Sequence, residues 1–232
     1  MPLANAFVTI LFVATPTSRR QRPAKAPLSR QVVVDAALQL VEQEGLERVT
    51  MRRVAQELDT GPASLYVYVR NRADLHAALL DHVLSQLALP AGRQWRGTLV
   101  GLLADLTGLL HAHPALARSA MTLRPAGRNY LRLLDHVVSL LRQGGTSPRQ
   151  AAWGADVLLL YVTAVATEQA GRDESIEAAG EDRHLTETLA ALDGHEHPHL
   201  AWARDELLSG TPAQRLSWQL GLLIEGITRT PA

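Results

Sequence analysis

Along the chain, apolar residues return at helical spacing, and nowhere do they alternate with polar ones over the length of a strand, so the pattern predicts an all-α protein. Ser29 stands as an N-cap ahead of Val34, Ala37, Leu38 and Val41, and Gly45 closes that first helix. Thr50 caps a second helix, in which Met51, Val54, Ala55 and Leu58 share one face. Asp59 and Gly61 are turn formers, and Pro62 suits the first turn of a third helix, expected over 62–69 with Leu65 and Val69 facing inward. After Asn71 a fourth helix carries Leu75, Leu79 and Val83 on one stripe and stops before Pro90.

Beyond Pro90, proline and glycine punctuate further helices expected over 95–111, 114–121, 128–143, 148–171, 199–208 and 212–228. The stretch GRDESIEAAGED, residues 171–182, is acidic and poor in large apolar side chains, and is expected as a loop of low order. The helix over 148–171 is apolar almost all the way round, with Trp153, Val157, Leu158, Leu160, Tyr161 and Val165, so two of its faces need cover. In the last helix Leu216, Leu220, Leu223, Ile224 and Ile227 form one stripe and leave Trp218, Gly221, Leu222 and Glu225 elsewhere. A continuous apolar face of this kind is rare on a monomer, so one face can serve the core and another a partner subunit.

Composition adds limits. A chain of 232 residues can bury a sizeable core, and the absence of cysteine excludes disulfides, thiolate metal sites and cysteine nucleophiles. Charge is balanced at 23 basic and 23 acidic residues but unevenly spread, with a basic excess in residues 1–75 and an acidic one beyond. Residues 15–29, TPTSRRQRPAKAPLS, hold no acid and read as a mobile basic arm, whose Arg19, Arg20, Arg22 and Lys25 can follow phosphates or enter a minor groove. The apolar run AFVTILFVA, residues 6–14, lacks the preceding positive charge of a signal and is too short to span a bilayer; the stretch 151–166 contains Asp156. A soluble, cytoplasmic protein is expected.

No glycine-rich phosphate loop, HExxH pattern or nucleophile elbow is present, so no enzymatic activity and no cofactor are expected. His195, His197 and His199 in the run HEHPH read as a solvated loop and not as a metal site.

Two short helices joined by a tight turn behind a supporting helix describe a helix-turn-helix, whose second helix enters the DNA major groove. With Leu65 and Val69 inside, Ala63, Ser64, Tyr66, Val67 and Tyr68 face outward. Hydroxyls suit phosphate or base edges, and small apolar groups suit a thymine methyl. Arg70 and Arg72 flank the same edge.

Residues 29–75, SRQVVVDAALQLVEQEGLERVTMRRVAQELDTGPASLYVYVRNRADL, resemble the N-terminal domain of TetR-family transcriptional repressors, most specifically through SLYVYVRNRADL. The resemblance implies that Thr50 anchors a phosphate and Arg52 reaches a base edge. It further implies that Pro62, Ala63, Ser64, Val67 and Tyr68 take reading positions, and that Tyr66 and Arg72 clamp phosphates. The remainder is similar to the tetracycline-repressor-type C-terminal domain through HPALARSAMTLRP, YLRLLDHVVSLLRQGG and LLLYVTAVATEQAG.

That similarity implies a flexible arm over 1–28, a helix-turn-helix domain over 29–75 and a larger helical effector-binding and dimerisation domain over 76–232. Trp153, Val157, Leu160, Tyr161, Trp218, Gly221, Leu222 and Glu225 would form the dimer face. His136 and Glu168 match effector-contacting positions, while Ala120 falls where the tetracycline repressor has a metal-binding histidine, so a small organic effector is expected. The expected function is release of a homodimeric repressor from a palindromic operator. The alternative is a helical dimeric interaction module that does not read DNA.

Overall fold

The computed structural model describes residues 27–92, 94–123 and 125–232. The apolar run over 6–14 and the basic side chains Arg19, Arg20, Arg22 and Lys25 lie outside them. Among the described residues the regular structure is entirely helical. The N-terminal unit holds α1 (Arg30–Glu44), a single 3-10 turn (Leu46–Arg48), α2 (Met51–Glu57), α3 (Pro62–Leu65) and α4 (Arg72–Leu84). There follow α5 (Trp95–His111), α6 (Pro114–Ala120), α7 (Arg128–Gln143), α8 (Pro148–Glu174), α9 (Ala178–Ala190), α10 (Pro198–Leu207) and α11 (Pro212–Arg229).

Side-chain caps set the helix starts. Ser29 Oγ accepts from the Val32 N–H, Thr50 Oγ1 from Arg53 and Asn71 Oδ1 from Asp74. Helices α8 and α11 each begin on a full capping box, Ser147 with Gln150 and Thr211 with Gln214, followed by proline at the first helical position. At its end α1 passes into Gly45, whose φ of 81° only glycine adopts freely.

Two cores result. Val33, Leu40, Val49, Val54, Leu65 and Leu75 belong to the N-terminal one. The other is built from leucines of α5, α7 and α8 with Leu220 and Ile224 of α11. Helix α4 serves both: Leu75, Leu79 and Val83 pack into the first, and Leu80 and Leu84 into the second. Leu116 of α6 reaches back into the N-terminal core, so a boundary at residue 75 falls inside a shared element.

Helix α8 packs against α5, α6, α7 and α11 and is the centre of the larger unit. It is long and apolar enough to cross a membrane by length and composition alone, but it lines its inward face with Ala151, Ala155, Leu158, Val162 and Ala166 and surrounds that face with other helices.

Two expectations need correction. The recognition helix is regular over four residues and then continues as turns, with both the Tyr68 and the Val69 N–H donating to Leu65 O, because Val67 and Val69 are β-branched and the chain must turn into α4. The stretch 171–182 is not a loop: α8 runs on to Glu174 and α9 starts at Ala178. Helix α9 is exposed nearly throughout, so it carries no apolar stripe by which periodicity reveals a helix.

Candidate nucleic-acid interface and effector cavity

The outward face of the helix-turn-helix is as open as its sequence suggests. Arg52, Pro62, Ala63 and Ser64 are exposed, Tyr66 is 52% exposed and Val67 80%. Tyr68 is half-buried against the N-terminal core. Thr50 spends its oxygen lone pair as the α2 cap, which leaves its O–H to donate outward. Arg53, next to Arg52, is held inside the unit: its guanidinium bonds Glu44 at 2.5 Å and Glu57 at 3.0 Å. Arg52 is therefore the α2 arginine turned to solvent.

The turn from α3 into α4 is fixed by Asp74. Its carboxylate accepts from Arg30 Nη2 at 2.9 Å and from the Arg70 N–H at 2.9 Å, and Arg30 Nη1 also donates to Tyr68 O at 2.7 Å. The Arg30 guanidinium, reinforced by the Arg70 N–H, holds the Asp74 carboxyl down to about 2 against a burial that works the other way. These bonds tie the first turn of α1 to the end of the reading segment and to α4, which begins with Arg72.

Behind α4 lies a cavity of about 240 Å³ between α4, α5, α6, α7 and α8. Leu80, Leu84, Leu106, Leu110, Leu133 and Leu159 make it apolar, and Ala120, Met121, Leu123 and Pro125 form one wall. Tyr130, Asp156 and Thr163 supply its polar groups. A leucine-lined space with a few polar groups is the usual form of an organic-ligand site.

Two family models match the chain: the one for bacterial regulatory proteins of the tetR family over residues 33–79, and the tetracyclin repressor-like C-terminal domain over 89–230. The chain belongs to the TetR family. Its members are DNA-binding transcriptional regulators. A helix-turn-helix transcriptional regulator of Saccharopolyspora erythraea is 30% identical over 203 residues, 86% of this chain and 82% of its own. Among solved structures, one assigned as a transcription regulator of Streptomyces coelicolor is 46% identical at a TM-score of 0.74 and covers 91% of this chain and 98% of its own. The TetR-family protein ActR of Streptomyces coelicolor, solved in complex with actinorhodin, is 34% identical at a TM-score of 0.78 and covers 87% of this chain and 96% of its own.

Within this TetR-family fold, His136 and Glu168 do not line this cavity. His136 is outside the cavity and its Nε2 meets Pro90 O at 3.0 Å, because it sits off the α7 stripe that Tyr130, Leu133 and Val137 turn inward. Glu168 is exposed, beyond Thr163 along α8, and its charge adds to the burial that raises the Tyr161 hydroxyl pKa. Ala120, in contrast, does line the cavity. The sequence reading missed Tyr130, Asp156 and Thr163. Tyr130 falls inside the helix expected over 128–143 but carries no motif that marks it as a contact, and Asp156 stands out from the sequence only as a charge in an apolar stretch.

Trp153 and Val157 of α8 and Trp218 and Leu222 of α11 are exposed, as is Leu160, which also stands at the rim of the cavity. Tyr161 is half-buried against the core. Glu225 is engaged within the protomer by Arg96 at 2.5 Å and by Arg229 at 2.5 Å. A Cβ at Gly221 meets open space, whereas one at Gly154 lands 2.6 Å from Ile227. The glycine that lets α8 and α11 approach inside the protomer is therefore Gly154.

Proposed function

We propose that this TetR-family regulator is a cytoplasmic homodimeric repressor that reads a palindromic operator and is released by a small organic effector. The observation that carries this reading is the double duty of α4, which begins with Arg72 beside the reading segment and gives Leu80 and Leu84 to both the C-terminal core and the cavity wall. A ligand that reshapes the cavity moves α4, and with it the separation of two recognition segments, which must match one turn of DNA. The ligand needs to prefer the non-binding separation by only about a few kcal/mol.

Thr50, Arg52 and the exposed residues 62–68 contact DNA, with Tyr66 and Arg72 on phosphates. Trp153, Val157, Leu160, Trp218 and Leu222 form the twofold face with Gly221 between them, and their exposure in one protomer supports this. The residues 29–75 act as the reading unit and 76–232 as the effector and dimer unit, hinged on α4. The effector places an apolar body against the leucines and meets Tyr130, Asp156 and Thr163 with polar groups, a reading supported by the likeness to the actinorhodin complex of ActR.

Selection of duplexes from a random DNA pool by the full chain, with its mass measured by sedimentation, tests the reading. A palindrome enriched by a dimer is the expected result. Failure of a folded dimer to enrich any duplex would transfer the assignment to an interaction module that does not read DNA.

A further inference from the structure

His76 is 9% exposed, and nothing in the proposed reading uses it. It sits on α4 one turn after Arg72 and one turn before Leu80. Arg72 Nε donates to its Nε2 at 3.3 Å, and its Nδ1 lies 3.2 Å from Ser119 Oγ on α6. Ser119 Oγ in turn donates to Ala115 O at 3.0 Å.

The donor inventory fixes the proton. An arginine Nε–H can only donate, so His76 Nε2 must carry the lone pair. Ser119 has used its single hydrogen on Ala115 O, so Nδ1 must carry the N–H and Ser119 Oγ must accept it. The ring is thus neutral and in one tautomer. Ser119 directly precedes Ala120 and Met121, which line the effector cavity.

We infer that His76 is a positioning residue that joins the cavity to the DNA: through Nε2 it aims Arg72 at a backbone phosphate, and through Nδ1 it senses where the cavity wall holds Ser119. The inference rests on the proposed reading of Arg72 as a phosphate clamp. With Nε engaged, the terminal nitrogens of Arg72 are directed outward as a fork suited to phosphate oxygens. A ligand that displaces Ala120 and Met121 draws Ser119 from Nδ1 and loosens the ring.

Protonation does the same from the other side. An imidazolium carries N–H groups on both nitrogens, so Nε2 would then oppose the Arg72 Nε–H and drive the arginine away. Burial first, and the Arg72 charge second, push the His76 pKa below its ordinary 6.5, so the release lies on the acid side of neutrality. Around α4, Arg118 of α6 bonds Glu174, Arg30 of α1 bonds Asp74 of α4, and Asp81 of α4 accepts from Asn129 of α7.

The test measures affinity for the duplex enriched by the full-length parent, from about pH 7.5 to about pH 5.5, across the range in which histidine titrates. The parent should lose affinity progressively on acidification, by less than about tenfold at about pH 5.5, because the His76 pKa lies below its ordinary 6.5. His76→Gln retains an acceptor for Arg72 but cannot be protonated, so it should bind as the parent does near neutrality and stay level in acid. His76→Leu should be about tenfold weaker at every pH, and in an Arg72→Ala background it should cost nothing further, since its effect passes through Arg72.

A His76→Leu penalty of the same size in both backgrounds would overturn the inference. So would a His76→Gln protein that follows the parent into acid, provided thermal melting shows each variant folded. The underlying reading fails differently: Arg72→Ala binding as tightly as the parent removes the phosphate clamp, and a parent that enriches no duplex removes DNA reading altogether, taking this inference with it.

Discussion

The reading end and the effector end of this molecule are held together by different forces. In the N-terminal unit α2 has seven residues and α3 four, lengths at which a helix has no stability of its own. Directional bonds make up the deficit: Thr50 on the Arg53 N–H, Arg53 between Glu44 and Glu57, and Asp74 between Arg30 and Arg70. The C-terminal unit uses long helices and leucine, whose attraction is non-directional and tolerates small shifts. Directional bonds suit a surface that keeps one shape against DNA, and leucine packing suits a cavity that, on the proposed reading, yields to a ligand. Helix α4 packs into both cores, and the proposed release by a ligand requires such a link.

The largest test of this contrast is on the exposed face of the leucine-rich unit. Trp153 is 61% exposed, with the Arg149 guanidinium 5.6 Å from its ring centroid, and Trp218 is 69% exposed. Replacing both by Glu is expected to weaken dimerisation by more than about 4 kcal/mol, because each tryptophan recurs across the proposed twofold interface and anchors of this kind are worth about 2 kcal/mol or more. Sedimentation velocity should show monomers, with DNA affinity falling in parallel and helix content unchanged. Dimers of undiminished strength would place the interface elsewhere.

Inside the protomer, Gly154→Val probes how far leucine packing really yields. The added atoms meet Ile227, beginning with a Cβ at 2.6 Å, where two helices approach closely. Overpacking there is expected to cost about 2 kcal/mol in chemical denaturation. A much smaller cost would mean that the C-terminal unit is even more adaptable than its architecture implies.

At the reading end Asp74→Asn should cost about 1 kcal/mol, a figure reduced because Arg30 is half exposed to solvent. The sign with pH follows from the depressed carboxyl: its contribution is complete above its ordinary 3.8 and is lost as pH falls towards about 2. Parent and variant should therefore converge in stability across that acid range and differ above it. A constant difference at every pH would show that Asp74 acts through shape and not through charge.

What the sequence disclosed divides along the same line. Caps, turns and apolar stripes placed α1, α2, α5, α7 and α11 within a residue or two, since these signals are local, whereas α4 ends at Leu84, well short of Pro90. Helix α9 was invisible because exposure removes the stripe. Of the positions that the resemblance links to an effector or its metal, Ala120 lines the cavity, whereas the α7 register turns the His136 side chain to Pro90. Contacts such as His76 with Ser119 join residues 43 apart and leave no periodic trace.

The turn of the helix-turn-helix offers the smallest effect and a sharp one. Sequence chemistry shares it between Asp59 and Gly61, but the left-handed backbone belongs to Asp59, with φ 48°, while Gly61 has an ordinary φ of −83° and open space where a Cβ would stand. Gly61→Ala should change stability by no more than about 0.5 kcal/mol, since the folded chain accepts the methyl and the unfolded chain loses freedom. Asp59→Ala should cost about 1 kcal/mol and Asp59→Gly less, because a Cβ strains the left-handed region. If Gly61→Ala is silent in melting yet weakens DNA binding, the methyl has met the duplex, and the turn itself belongs to the reading surface. If it is silent in both, the rigid end begins at Pro62, and the turn serves only to aim it.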